Sequence, residues 1–244
     1  MSAPSNTDAS RKQKKFYPVI HCVDPFENEG IGHALYSTKT AMKNGADGVF
    51  LIGHEVRMDD LLVIYSHVRK QNPEIWIGIN FLTLPATSRE ARVAFKRITM
   101  SWNPDLNAIW CDMLPKERFE VRSSVQIFGG VAFKYIDASL TGSSLARSCE
   151  DAIKCIDVIT TSGDKTGQPP SLAKIQEMSS YINERVPLAI ASGISEENVQ
   201  AFLPYVDIFL VASSISGPDK VCGGLECPTG EKVHTLATLI HAGN

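Results

Sequence analysis

No apolar run in this chain approaches the roughly twenty residues that cross a bilayer, and no apolar segment follows the N-terminal charges as a signal peptide would require. The expectation is a cytoplasmic protein with no membrane partner. An excess of one charge sign is missing too: 24 Lys and Arg stand against 27 Asp and Glu, a net charge of −3. That balance gives no general attraction to nucleic acid, which is therefore not expected as a partner. Cysteine is sparse, at positions 22, 111, 149, 155, 222 and 227. A disulfide scaffold needs a denser set, so free thiols are the simple account. Cys222 and Cys227 flank Gly223-Gly224 without further ligands at zinc spacing, and Glu55 with Asp112 has no dedicated cation pattern. No metal and no cofactor are expected.

What is present fills one large domain. Hydrophobic residues make up 43% of the 244 and charged residues 21%, ordinary values for a chain with a sizeable core. Residues 1–15, with the basic cluster Arg11-Lys12-Gln13-Lys14-Lys15 after a Ser/Ala/Asn-rich start, read as a disordered, solvated tail. Eight apolar or β-branched runs then follow: Phe16–Cys22, Gly48–Ile52, Ile75–Asn80, Ala108–Asp112, Gln126–Lys134, Ile156–Thr160, Pro187–Ala191 and Asp207–Val211. They lack polar alternation, as strands covered on both faces do.

Helical stripes lie between these runs. Examples are Leu61, Leu62, Ile64, Tyr65 and Val68; Ala91, Ala94, Phe95 and Ile98 behind a capping Ser88; and Leu172, Ile175, Met178 and Ile182 behind Ser171. Ser195 opens a short helix, and Val233, Leu236, Leu239 and Ile240 form the last. Eight strands alternating with eight helices predict an α/β protein, a (β/α)8 TIM barrel spanning residues 16–244 as a single domain. An open doubly wound sheet is the alternative. Only Pro115–Ser124 remains for the helix after the fourth strand, and Ser216–Thr229 reads as a loop over the barrel mouth.

In such a barrel, chemistry sits where the strands end. After strands seven and eight come Ser192-Gly193 and Ser213-Ser214, small residues whose amides and hydroxyls suit a phosphate. Ser162 and Gly163, after strand six, would contribute to the same cradle. The loop Thr161-Ser162-Gly163-Asp164-Lys165-Thr166-Gly167 lacks the residue order of a nucleotide-binding P-loop and reads as a lid carrying Lys165. Asn80 and Asp112 end strands three and four, Lys134 ends the fifth run, and His54 follows strand two. Asp112 is a candidate proton-transfer group and Lys134 an electrostatic stabiliser or nucleophilic amine, with Asn80 and His54 beside them. Each has a plainer alternative: a tight turn, a buried ion pair between Asp112 and Lys134, or a hydrogen-bonded wall histidine. His21, within the first strand, faces either the barrel interior or the helices.

Several of these segments together resemble the BtpA family, which belongs with the ribulose-phosphate-binding barrels. The matching residues are Gly130-Val131 with Lys134, Ile159-Thr160-Thr161-Ser162-Gly163 with Thr166-Gly167 and Pro170, and Pro187 through Ser192-Gly193-Ile194 with Glu197-Asn198-Val199. Val211-Ala212-Ser213-Ser214, Ala46-Asp47-Gly48-Val49 and Gly78-Ile79-Asn80 also fit. The likeness is most specific over residues 125–215. The chain departs from the family at Gly130, where an acidic residue is usual, at Tyr135 for a histidine, and at Asp112 for an asparagine. Its opening His21-Cys22-Val23-Asp24-Pro25 also differs from the family's first loop. The cradle and the polar strand ends facing it lead to the expectation of a phosphate-binding barrel, an enzyme acting on a small phosphorylated sugar or phosphoribosyl compound by isomerisation or transfer; the resemblance itself assigns no activity. The family's namesake, linked to photosystem I biogenesis, leaves a non-catalytic ligand-binding or assembly factor as the alternative. A homodimer is the expected assembly, by analogy with such barrels.

Overall fold

The structure, a computed structural model, describes residues 13–26, 29–53, 56–82, 88–102, 105–218 and 225–243. The element order is β1 (Lys15–Cys22), α1 (Gly30–Lys43), β2 (Val49–Gly53), α2 (Met58–Gln71), β3 (Ile77–Asn80), α3 (Arg89–Arg97), β4 (Ala108–Cys111) and β5 (Gln126–Gly130). It continues with α4 (Gly142–Cys155), β6 (Val158–Thr161), α5 (Leu172–Ile182), β7 (Leu188–Ile190), α6 (Val199–Phe202) and β8 (Ile208–Val211). A hairpin of β9 (Ser216–Pro218) and β10 (Glu226–Pro228) precedes α7 (Gly230–His241). Strands β1 to β8 pair in parallel and in sequence order, and β1 closes on β8 with Pro18 opposite Val211. The chain is therefore a closed (β/α)8 barrel.

The continuous apolar runs are explained by two separate cores. Inward positions such as Tyr17, Val19, Phe50, Ile52, Trp110, Phe128 and Leu210 fill the barrel axis. Alternate residues, among them Ile20, Leu51, Ile79, Ile109, Ile127, Ile159 and Phe209, lie beneath the helices. Phe50 anchors the axis, with Trp76, Trp110 and Phe128 set edge-on at 5.1, 5.5 and 5.1 Å. Its neighbour must be Gly78, because a Cβ there would lie 2.2 Å from the Phe50 ring.

The opposite, N-terminal end is held by a repeated device. Asp47, Asn107, Asp157 and Asp207 each immediately precede or nearly precede an even-numbered strand. Their side chains accept from the amides of Phe16, Ile77, Ile127 and Leu188 at 2.8, 2.8, 2.8 and 3.0 Å. Their own amides donate back to the carbonyls of the same four residues at 2.9, 3.0, 2.8 and 2.9 Å. Each reciprocal pair satisfies an amide and a carbonyl near the start of the preceding strand. Asp47 also receives Lys15 at 3.0 Å and His241 at 2.9 Å, and Asp157 receives Arg118 at 2.8 Å.

Three sequence expectations need correction. No helix forms between β4 and β5: the connection runs as bends and turns, with Pro115 and Phe119 buried and Arg118 tied to Asp157. A proline and too few residues for a covering stripe account for this. The fifth strand ends at Gly130, so Lys134 belongs to the loop beyond it. Gly130 already lies so near the Asp112 carbonyl that a Cβ would come within 1.9 Å, and Ala132 turns the chain at φ +50°. Finally, the segment after β8 is built on a hairpin beside α1, where His33 Nε2 lies 3.2 Å from the Glu226 carbonyl. Cys22, Cys111, Cys149 and Cys155 are free, whereas Cys227 is disulfide-bonded. Cys222 and most of the basic tail lie outside the described residues, although Lys14 reaches Asp207 at 3.6 Å. Among the described residues no helix is long and apolar enough to cross a membrane.

Candidate functional site

A cavity of about 720 Å³ opens where the barrel strands end. Val19, Ile52, Trp110 and Leu210 supply its floor from four strands, Asp112 and Lys134 stand on one side, and the loops after β7 and β8 form another. Thr166, Gly167 and Pro169 overhang it from the loop after β6.

The β7–β8 side is a set of backbone amides fixed by side chains. Gly193 has φ +66°, and a Cβ on it would lie 2.1 Å from the Pro169 nitrogen, so only glycine lets the two loops meet. Asn198 Nδ2 donates to the Gly193 carbonyl at 2.8 Å, while its Oδ1 accepts from the Ser195 amide at 3.0 Å. Ser214 Oγ donates to the Ile194 carbonyl at 2.6 Å, tying the β8 turn to the β7 loop. Ser213–Ile215 is a 3-10 turn, with Ile215 donating to the Ala212 carbonyl. The amides of Gly193, Ile194, Ser213 and Ser214 donate to no acceptor among the described residues. Four unused donors at a cavity wall can bind an anion without a charged side chain.

The facing side is organised by a polar network. Asn80, 1% exposed at the end of β3, donates to Asp112 Oδ1 at 2.9 Å and so sits behind the carboxylate rather than in the cavity. The Lys134 amide donates to Ser162 Oγ at 2.8 Å, and that hydroxyl donates onward to the Gly163 carbonyl at 3.0 Å. Lys174 on α5 donates to the carbonyls of Ala132, Ser162 (2.8 Å) and Ala138 (3.3 Å), joining the loops after β5 and β6. Burial lowers its amine below the usual lysine range. Tyr135, at φ +62°, reaches across the mouth: its hydroxyl accepts from the Thr166 amide at 3.2 Å and lies 3.4 Å from Thr166 Oγ1. These hydrogen bonds lower the phenol below its ordinary value.

Asp112, Lys134, Ser192, Gly193, Ser213 and Ser214 thus come together around one cavity, with His21 also on its wall. Ser162 and Gly163 do not face it, contrary to expectation. The Ser162 hydroxyl is committed to the Lys134 amide, and a Cβ on Gly163 would meet the Gln168 carbonyl at 2.3 Å, so this pair folds the overhanging loop. Lys165 lies on that loop but is exposed and outside the lining, which Thr166 and Gly167 provide. His54, with Glu55, lies outside the described residues. Sequence reasoning missed Trp110, Tyr135, Thr166 and Lys174. Trp110 was visible as the inward neighbour of Asp112 at strand period two, but Lys174 had no signal, because its stripe position resembles any surface lysine.

The model of the BtpA family matches residues 110–226, from β4 to β10. No curated protein matches the chain in sequence. Among solved structures it is similar to tryptophan synthase alpha chain from Legionella pneumophila, at 13% identity and TM-score 0.62, covering 93% of this chain and 92% of that one. Thiamine phosphate pyrophosphorylase from Pyrococcus furiosus gives 12% identity and TM-score 0.59 over 96% and 98% of the two chains. Monomeric forms of phosphoribosylanthranilate isomerase from Thermotoga maritima give 13% and 0.57 over 94% and 99%. Likeness at these identities shows the shared barrel.

Proposed function

We propose that this chain is a phosphate-binding barrel enzyme acting on a small phosphorylated molecule, a reading supported by the match of residues 110–226 to the model of the BtpA family. The substrate is of the sugar phosphate or phosphoribosyl kind, and the reaction an isomerisation or group transfer. The observation that carries this reading is the row of amides at Gly193, Ile194, Ser213 and Ser214 on the cavity wall, which donate to no acceptor among the described residues. Two of the similar structures are named for phosphorylated compounds, which supports the same class.

Holding the phosphate on that wall directs the rest of the molecule toward Asp112 and Lys134. Asp112, oriented by Asn80, exchanges a proton with the substrate, and the Lys134 ammonium stabilises negative charge as it develops. Its backbone is fixed for this by Ser162, and the loop beneath it by Lys174.

Titrating the isotope-labelled protein with inorganic phosphate, followed by amide NMR, tests the grip. The expected result is saturable shifts at Gly193, Ile194, Ser213 and Ser214; shifts confined to other loops would refute it. Asp112→Asn and Lys134→Met should keep that binding while lowering turnover of a phosphorylated substrate by about a hundredfold or more. Unchanged turnover in both variants would remove the assigned chemistry and leave the grip standing.

A further inference from the structure

The cavity discriminates between the kinds of phosphorylated ligand it could hold. Resting on the phosphate grip and replacing the sugar expected beyond it, we propose that the part of the ligand next to the phosphate is a flat aromatic or heteroaromatic ring, not a polyhydroxylated chain.

A sugar chain stripped of water needs a partner for each hydroxyl, and the walls have few to give. Asn198 is committed to the Gly193 carbonyl and the Ser195 amide, and Ser214 to the Ile194 carbonyl. Tyr135 and Thr166 bond to each other across the mouth. Away from the grip, the other polar side chains on the lining among the described residues are His21, Asp112 and Lys134, none of them buried, so that they stand at its rim.

Below that rim the surface is carbon. Val19, Ile52, Trp110 and Leu210 come from four of the eight strands, Ala191 follows β7 directly, and Leu82 adds a further apolar group. Trp110 deepens the contrast. Its indole nitrogen is fully buried with no acceptor among the described residues, so the surface it turns to the cavity is carbon. Phe50 and Phe133 hold the indole edge-on at 5.5 and 6.3 Å, fixing its plane. A flat ring gains most from a rigid carbon floor, while Lys134 at the rim suits an electron-rich ring atom or an acidic substituent.

Calorimetry on the full chain with three probes tests this: inorganic phosphate, ribose 5-phosphate and benzyl phosphate. Benzyl phosphate is expected to bind at least tenfold more tightly than the other two and to be displaced by excess inorganic phosphate. Leu82→Ser, a change at a partly buried lining position, should weaken benzyl phosphate severalfold and leave inorganic phosphate unaltered. Ribose 5-phosphate binding as tightly as benzyl phosphate would overturn the ring and leave the grip intact. Benzyl phosphate that inorganic phosphate cannot displace would also overturn it, since its ring would then lie elsewhere. Binding by none of the three would overturn the phosphate reading together with this one.

Discussion

Gly193 shows how much one residue of the cradle carries. A glycine after strand seven invites the reading that backbone must approach an anion closely. The structure adds two further demands: a positive φ of +66° and a Pro169 nitrogen where a Cβ would sit. Neither demand depends on a ligand. Gly193→Ala should therefore destabilise the empty protein by about 1–3 kcal/mol through backbone strain and the displaced β6 loop. It should also weaken inorganic phosphate binding. Denaturant midpoints and phosphate titration of the variant check this, and wild-type values in both would show that the two loops do not constrain each other. Ser162 teaches the converse. A serine at a strand end looks like a ligand-facing donor, but its hydroxyl is consumed by the Lys134 amide, a contact 28 residues away that no local pattern announces.

Among elements, the strands were legible because burial on both faces leaves an apolar run that few other structures produce. Capping serines were legible for a similar reason: Ser88 and Ser171 accept from Ala91 and Lys174 at 3.0 and 3.2 Å, as their places before apolar stripes require. The clamps at Asp47, Asn107, Asp157 and Asp207 were not legible, since an acid or amide before a strand looks like an ordinary turn residue. Asp47 allows a direct test. Burial alone would raise its pKa, but the Phe16 amide, His241 and Lys15 together hold it below the usual 3.8. A carboxyl depressed in the folded state adds stability above its unfolded pKa and loses that contribution as pH falls through the folded value. Asn107 shows that an amide oxygen serves the clamp equally well, so Asp47→Asn removes the charge and keeps the acceptor. The variant should be less stable by about 1 kcal/mol at pH 7, and its stability should fall less than wild type as pH drops below about 4. Denaturant midpoints at pH 7, 4 and 3 decide it; parallel curves for the two proteins would show that the ion pairs contribute nothing.

For the whole molecule, the proposed phosphate wall and the barrel closure are the same piece of chain. The β7 and β8 loops that present the four amides leave strands joined to each other and, through β8, to β1. The residues 110–226 matched by the family contain that wall but not β1 to β3, so His21 and Asn80 fall outside the matched segment. The small residues after strands seven and eight that line this wall are contiguous in sequence, whereas the facing side depends on groups brought together from distant strands. If an anion binds only the folded wall, it must stabilise the entire barrel, by about 2.7 kcal/mol at a hundredfold excess over its dissociation constant. In a chain of this length that corresponds to a rise of roughly 5–10 °C in the thermal midpoint. Inorganic phosphate should produce this saturable rise in the wild type and in Asp112→Asn. Ser213→Asp should abolish it, because a carboxylate at the start of the 3-10 turn would occupy the anion's place and repel it. Thermal melts across a phosphate series at constant ionic strength separate the specific effect from general salting. An equal rise in Ser213→Asp would mean that the anion binds elsewhere on the barrel.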